Sequence, residues 1–213
     1  MTEEILQGSD AWKRLRLGKV TASRVADVVA KTAKGVYGAS RANYMAQLIA
    51  ERLTDTVAEA YTNAAMIHGT ETEPEARAAY EFYQGVTVVE VAFVPHPKID
   101  QAGASPDGLI GDDGLVEIKC PNTATHLETL LGQAVPAKYE TQMQFQMACT
   151  GRKWCDFVSY DPRMPENMRL FIKRLPRDDK RITELESEIA AFLLEMAIKL
   201  SELNSLYGER AAA

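Results

Sequence analysis

Residues 104–121, ASPDGLIGDDGLVEIKCP, constrain this chain more than any other stretch. Pro106 and the cluster Gly111, Asp112, Asp113 and Gly114 punctuate two short apolar runs, which predicts a β-hairpin. Side chains alternate along a strand, so Val116, Ile118 and Cys120 point to one face and Glu117 and Lys119 to the other. Nine residues separate Asp107 from Glu117, a length that lets the hairpin return Asp107 beside the Glu117–Lys119 pair.

Two converging carboxylates repel each other, and a hard divalent cation removes that cost. Oxygen-only ligands of this kind suit Mg²⁺ or Mn²⁺, which keep several waters and accept phosphate oxygens from a substrate. Lys119 beside them would hold or deprotonate a metal-activated water, which is equipment for phosphodiester hydrolysis. The competing explanation is a solvated hairpin whose Glu and Lys pair across exposed edge positions. A bare P-D-x9-E-x-K pattern does not decide between the two.

With 213 residues, 46% apolar and 25% charged, the chain is read as one globular domain over 1–213. No run approaches the roughly 18 apolar residues of a membrane span. The acidic start MTEEILQGSD lacks the layout of a signal peptide, so a cytoplasmic location and no membrane partner are expected. The three cysteines, Cys120, Cys149 and Cys155, follow no metal-ligand spacing; they fit reduced, buried thiols and argue against an iron–sulfur cluster. A net charge of −6 disfavours nucleic acid only superficially, because Lys13, Arg14, Arg16, Lys19 and Arg24 cluster in one segment. Such a patch can carry phosphate contacts on an acidic molecule.

Along the chain, Trp12, Leu15 and Leu17 read as packing residues, and Gly18 ends a first short helical stretch. Thr21 or Ser23 is expected to cap a helix through Ala30 with Val25, Val28 and Val29 inward. Ser23 at a helix start with Arg16 nearby would suit a phosphate, although plain capping and a surface arginine are the favoured explanation of this segment alone. Ser40 is expected to cap a helix carrying Tyr44, Leu48, Ile49 and Leu53. Thr72 and Glu75 have capping-box spacing ahead of Ala76, Ala79, Tyr80 and Tyr83, which places Glu73 in a first helical turn. A strand over VTVVEVAFV, an irregular segment at 121–136, and a helix over AKYETQMQFQMAC follow. On that last helix Tyr139, Gln142 and Gln146 share a face that either serves the hairpin site or meets solvent. Strands over WCDFVSYDP and MRLFIKRL precede a long C-terminal helix striped by Ile182, Leu185, Ile189, Phe192, Met196, Leu200 and Leu203. The plan is a mixed α/β fold, a central mixed sheet flanked by helices, with a helical part at 1–85, a sheet core at 86–175 and a terminal helix at 180–207.

Several segments in shared order resemble one family: DAWKRLRLGKVTAS near the start, GTETE at 69–73, SPDGL and LVEIKCP in the hairpin, YETQMQ at 139–144 and SYDPRM at 159–164. They are similar to the lambda-exonuclease and YqaJ-type viral recombinases, a branch of the PD-(D/E)xK nucleases with a restriction-endonuclease-like core. The resemblance implies a Mg²⁺-dependent 5′→3′ exonuclease on double-stranded DNA ends, working with two ions per site, Mn²⁺ substituting. It implies a phage or prophage enzyme in a bacterial host that leaves 3′ overhangs for a single-strand annealing protein, and a ring-shaped homotrimer. Residue by residue, it makes Asp107, Glu117 and the Ile118 carbonyl metal ligands, Lys119 the catalytic lysine, and Glu73 and Gln142 further catalytic groups, with Tyr139 beside them. Arg16, Ser23 and Ser105 become holders of the 5′-phosphate, and Met66 the apolar wedge at the DNA end. The same hairpin would also serve a structure-specific or restriction-type endonuclease, or survive in a non-catalytic scaffold that binds DNA ends.

Overall fold

A computed structural model describes residues 5–58 and 63–208; the acidic start read above lies partly outside them, at 1–4. The helices are α1 (Asp10–Arg16), α2 (Val25–Val29), α3 (Ala39–Thr54), α4 (Ala64–Gln84), α5 (Thr123–Gly132), α6 (Ala137–Thr150) and α7 (Asp179–Tyr207). The strands are β1 (Val20–Thr21), β2 (Val88–Val89), β3 (Val94–Pro95), β4 (Ala102–Ala104), β5 (Gly108–Ile110), β6 (Gly114–Lys119), β7 (Trp154–Tyr160) and β8 (Leu170–Pro176).

The expected mixed sheet is present with the order β2-β5-β6-β7-β8, and a second, smaller one has the order β1-β4-β3. β5 and β6 form the antiparallel hairpin, β6 and β7 run parallel, and β8 returns antiparallel to β7. Alternation along β6 sorts its residues as anticipated. Val116, Ile118 and Cys120 pack with Val158, Tyr160, Ala76 and Tyr80 under α4. Leu115 joins Cys155 and Phe157 in the larger core on the opposite face, with Met143, Phe145 and Met147 of α6 and Leu185, Ile189, Phe192 and Met196 of α7. Polar side chains fasten α4 to the sheet. Tyr80 donates to Asp156 at 2.8 Å, and Tyr160 donates to Glu75 at 2.7 Å. Asp156 is buried and also takes a two-pronged contact from Arg174, which satisfies its charge.

Several local expectations are corrected. The run VTVVEVAFV splits between β2 and β3, which lie in different sheets. The stretch from Thr21 is a two-residue strand, a tight turn over Ala22–Arg24 and a short helix, and neither Thr21 nor Arg24 caps with its side chain. Gly38, not Ser40, precedes α3, and Leu53 stays half exposed. α4 is capped by Asn63, whose side chain accepts from the Met66 N–H, so Thr72 and Glu75 are mid-helix and Pro74 lies inside it. Tyr83 is exposed there. The segment 121–136 contains α5, capped by Asn122. No helix among the described residues is long and apolar enough to cross a membrane.

Candidate active site

The site is built at the open end of the hairpin. Gly108 pairs with Val116 and Ile110 with Gly114. Continuing that register sets Pro106 opposite Ile118, and a proline has no N–H to give. The Ile118 carbonyl therefore meets no strand donor. The Ile118 N–H turns to the Asp107 carboxylate, 2.6 Å from Oδ2, while the Pro106 carbonyl accepts from the Gln7 side chain at 2.9 Å. Within a strand a residue's N–H and C=O point the same way. The Ile118 carbonyl thus faces the Asp107 side.

Glu117 points to the other side of the sheet from Ile118, into α6, and is fully buried. Gln142 Nε2 donates to its Oε1 at 2.5 Å and Gln146 Nε2 to its Oε2 at 2.6 Å. Lys119 Nζ also bonds Glu117 Oε1 and lies 4.0 Å from Asp107 Oδ2. The polar face of α6 is thus a buried partner of the hairpin, not a solvent face. Burial, then the Glu117 charge, pushes the Asp107 carboxyl well above its usual range. Burial alone would lower the Lys119 ammonium, but Glu117 and Asp107 outweigh it and hold it above its ordinary value.

This donor set fits a hard divalent cation. Among the described residues no group of three or more His, Cys, Asp or Glu side chains converges on one point. Two carboxylates, one open carbonyl and places left for water and phosphate oxygen are the pattern Mg²⁺ accepts. Soft ligands are not offered, since Cys120 faces away from Glu117 and Lys119 and its thiol is pushed up to about 12, chiefly by burial.

Glu73 sits on α4 rather than in a first turn, held at 2.8 Å by Arg77 one turn on, which also pairs with Glu90. Burial raises its carboxyl, with Arg77 and then Lys119 opposing. Arg77, the i,i+4 partner of Glu73, is a site residue that its spacing alone signals. Met66 is half exposed in the first turn of α4. The Tyr139 ring stacks on Phe157 at 5.5 Å, with the Lys119 ammonium 5.5 Å from its centroid.

Arg16 and Ser105 come together through Trp12. The indole N–H reaches Ser105 Oγ at 3.0 Å, and the Arg16 guanidinium lies 4.0 Å over the indole ring and 3.4 Å from the same hydroxyl. Burial lowers the Arg16 pKa, but a guanidinium stays charged at neutral pH. Thr21 pairs with Gly103 in parallel strands, so Ser23 and Ser105 both follow two residues on. The Ser23 hydroxyl lies 3.4 Å from Thr21 Oγ1; no side-chain hydrogen bond joins it to Arg16 or Ser105 among the described residues. Gly18, at φ +65°, orients this arm. Its N–H donates to Glu51, its carbonyl takes Arg52, and a Cβ there would sit 2.7 Å from Arg52 Cγ.

The burial of Asp107 beside the Glu117 charge has a thermodynamic consequence. A carboxyl whose folded pKa is raised binds its proton more tightly folded than unfolded, so its contribution to stability falls as pH climbs from about 4 through the raised value. Asp107→Asn keeps an oxygen for the Ile118 N–H and removes the charge. We expect Asp107→Asn to melt higher than wild type in chelator at pH 8, with the gap closing near pH 4. Thermal unfolding across that range is the check, and an equal or lower midpoint at pH 8 would contradict it.

The YqaJ-like viral recombinase domain matches residues 11–153. Among solved structures, an alkaline exonuclease from Laribacter hongkongensis, LHK-Exo, is 54% identical, covering 92% of this chain and 97% of that one with a TM-score of 0.86. Its complex with dAMP superposes with a TM-score of 0.87 at the same identity and coverage. A phage-related exonuclease from Haemophilus somnus 129PT, 16% identical over 87% of this chain and 96% of that one, shares the fold with a TM-score of 0.71. No curated protein matched. A match over more than half of the chain, together with a relative of this identity, shows that the chain belongs to the YqaJ-like viral recombinase family.

Proposed function

We propose that this protein is a Mg²⁺-dependent exonuclease that degrades the 5′-ended strand of double-stranded DNA and leaves 3′ overhangs for recombination by annealing. The observation that carries this reading is the meeting of Asp107, Glu117 and Lys119 at the open end of one hairpin, beside a carbonyl that Pro106 leaves without a donor. The relative LHK-Exo, an alkaline exonuclease solved with dAMP, supports it.

Bound divalent ions, two in this reading, would supply Lewis-acid stabilisation of the phosphate oxygens and a water of lowered pKa. Asp107, Glu117 and the Ile118 carbonyl would hold them. Lys119, charged and fixed by Glu117, orients the attacking water and offsets charge that grows on the phosphoryl oxygens. Gln142 reaches Glu117 from α6 and fixes the inner wall of the site. Glu73, aimed by Arg77, closes the opposite side. Arg16 and Ser105, with Ser23 at the neighbouring strand end, hold the terminal 5′-phosphate, which sets the direction of travel. Met66, apolar and half exposed, separates the last base pair. A homotrimeric ring and an annealing protein complete the proposal; sedimentation of the purified chain tests the first.

Linear duplex with 5′-phosphate or 5′-hydroxyl ends, and closed circular duplex, incubated with Mg²⁺ or with chelator, test the activity. Mg²⁺-dependent nucleotide release from linear DNA alone is expected; cut circles would mark an endonuclease, and no release at all a binding scaffold. Arg16→Ala should lower the rate on 5′-phosphorylated ends about tenfold or more, the worth of a charged hydrogen bond, and leave hydroxyl ends nearly unchanged. Equal losses on both ends would count against the phosphate pocket.

A further inference from the structure

We propose that Gln146, which the site does not otherwise need, is the positioning residue for Glu117: it holds the carboxylate oxygen turned away from Lys119, so that the other oxygen is presented to a divalent cation. The inference rests on the metal-dependent reading above.

The two oxygens of Glu117 are treated differently. Oε1 is shared by Gln142 and Lys119, two donors from two elements. Oε2 has one side-chain partner among the described residues, Gln146 Nε2 at 2.6 Å. A carboxylate only accepts, so the nitrogen of the Gln146 amide must be the atom that faces it. The amide oxygen then points back toward β7, where the Cys155 Sγ lies 3.9 Å away and can donate weakly. Both ends of the amide are therefore assigned by chemistry. Gln146, Glu117 and Cys155 are all fully buried, so water cannot replace a missing partner.

Oε1, bonded by Lys119, which itself lies 4.0 Å from Asp107, is the oxygen that would be offered to a cation there. Without a hold on Oε2 the carboxylate would be free to rotate or to turn its charge toward Lys119 alone. Gln146 on α6, one turn beyond Gln142, removes that freedom. Partners of this kind behind a ligating carboxylate are worth about 10- to 100-fold in metal affinity.

The test is Mn²⁺ binding without DNA, followed by the electron paramagnetic resonance of free Mn²⁺, on wild type and Gln146→Met. Met keeps the length and loses the donor. The expected result is a 10- to 100-fold weaker Mn²⁺ affinity, a matching rise in the Mg²⁺ needed for half-maximal cleavage, and an unchanged KM for DNA. Should Gln146→Met not fold, Gln146→Asn keeps the amide but shortens its reach, and the same loss is expected. A folded variant that binds Mn²⁺ within about threefold of wild type would overturn the inference and leave the nuclease reading standing. Wild type that neither binds Mn²⁺ nor releases nucleotides would instead overturn the nuclease reading.

Discussion

Lys119→Ala is expected to lose cleavage of linear duplex by about 10²- to 10⁴-fold, the range for removing a group that acts on the reacting proton or charge. DNA binding, measured by fluorescence anisotropy in Mg²⁺, should stay within a few-fold of wild type. The reasoning runs from position. Lys119 is partly buried, bonds Glu117 and lies 4.0 Å from Asp107, yet contributes no ligand to a cation itself. Its loss would remove charge beside the carboxylates, while Arg16, which the proposal assigns to phosphate, is left in place. Cleavage at the wild-type rate would exclude Lys119 from the chemistry, and loss of binding in proportion to rate would make it a DNA contact.

Phe192→Ala is the substitution with the largest expected cost in stability, about 3–5 kcal/mol, or a fall of roughly 6–20 °C in midpoint for a chain of this size. Phe192 is fully buried on α7, and its ring stacks on Tyr44 of α3 at 5.9 Å with Arg41 over it at 5.1 Å. Tyr44 in turn accepts from the Thr21 N–H at 3.1 Å and donates to the Lys19 carbonyl at 3.3 Å. The cavity would thus loosen the helix that steadies β1, the neighbour of the strand leading to Ser105. Phe82, 91% exposed, provides the contrast: Phe82→Ala should move the stability by less than about 0.5 kcal/mol. Equal effects at the two sites by denaturant unfolding would contradict the placement of the core.

The elements that sequence reading locates well are those with a sustained period. The stripe of α7 and the alternation of β6 each bury one face, and burial is what a period records. The hairpin site was legible for the same reason, since turn residues and alternation together bring Asp107 to Glu117. What escaped has no period of its own. β1, β2 and β3 are two residues each, too short to show alternation, and only pairing with β4 and β5 defines them. α5 contains Thr123, Thr125 and a terminal Gly132, all weak helix formers. It is held by tertiary bonds: Thr123 to Asp161, and His126 between Ser159 and the Met168 carbonyl. Pro74 would ordinarily end a helix, because the residue before a proline is pushed out of the helical region. Burial of Thr72, Ala76 and Tyr80 against the sheet outweighs that preference and carries α4 through it. Helical spacing put Gln146 on the face of Gln142, but its partner Glu117 lies across the layers on β6, which no spacing in sequence names.

A crystal soaked in manganese tests the central claim most directly. Anomalous density is expected between the Asp107 carboxylate, the Glu117 Oε1 and the Ile118 carbonyl, with water filling the remaining positions. A soaked crystal with no density at that corner, or with Asp107 and Glu117 turned apart, would contradict the account of the chemistry.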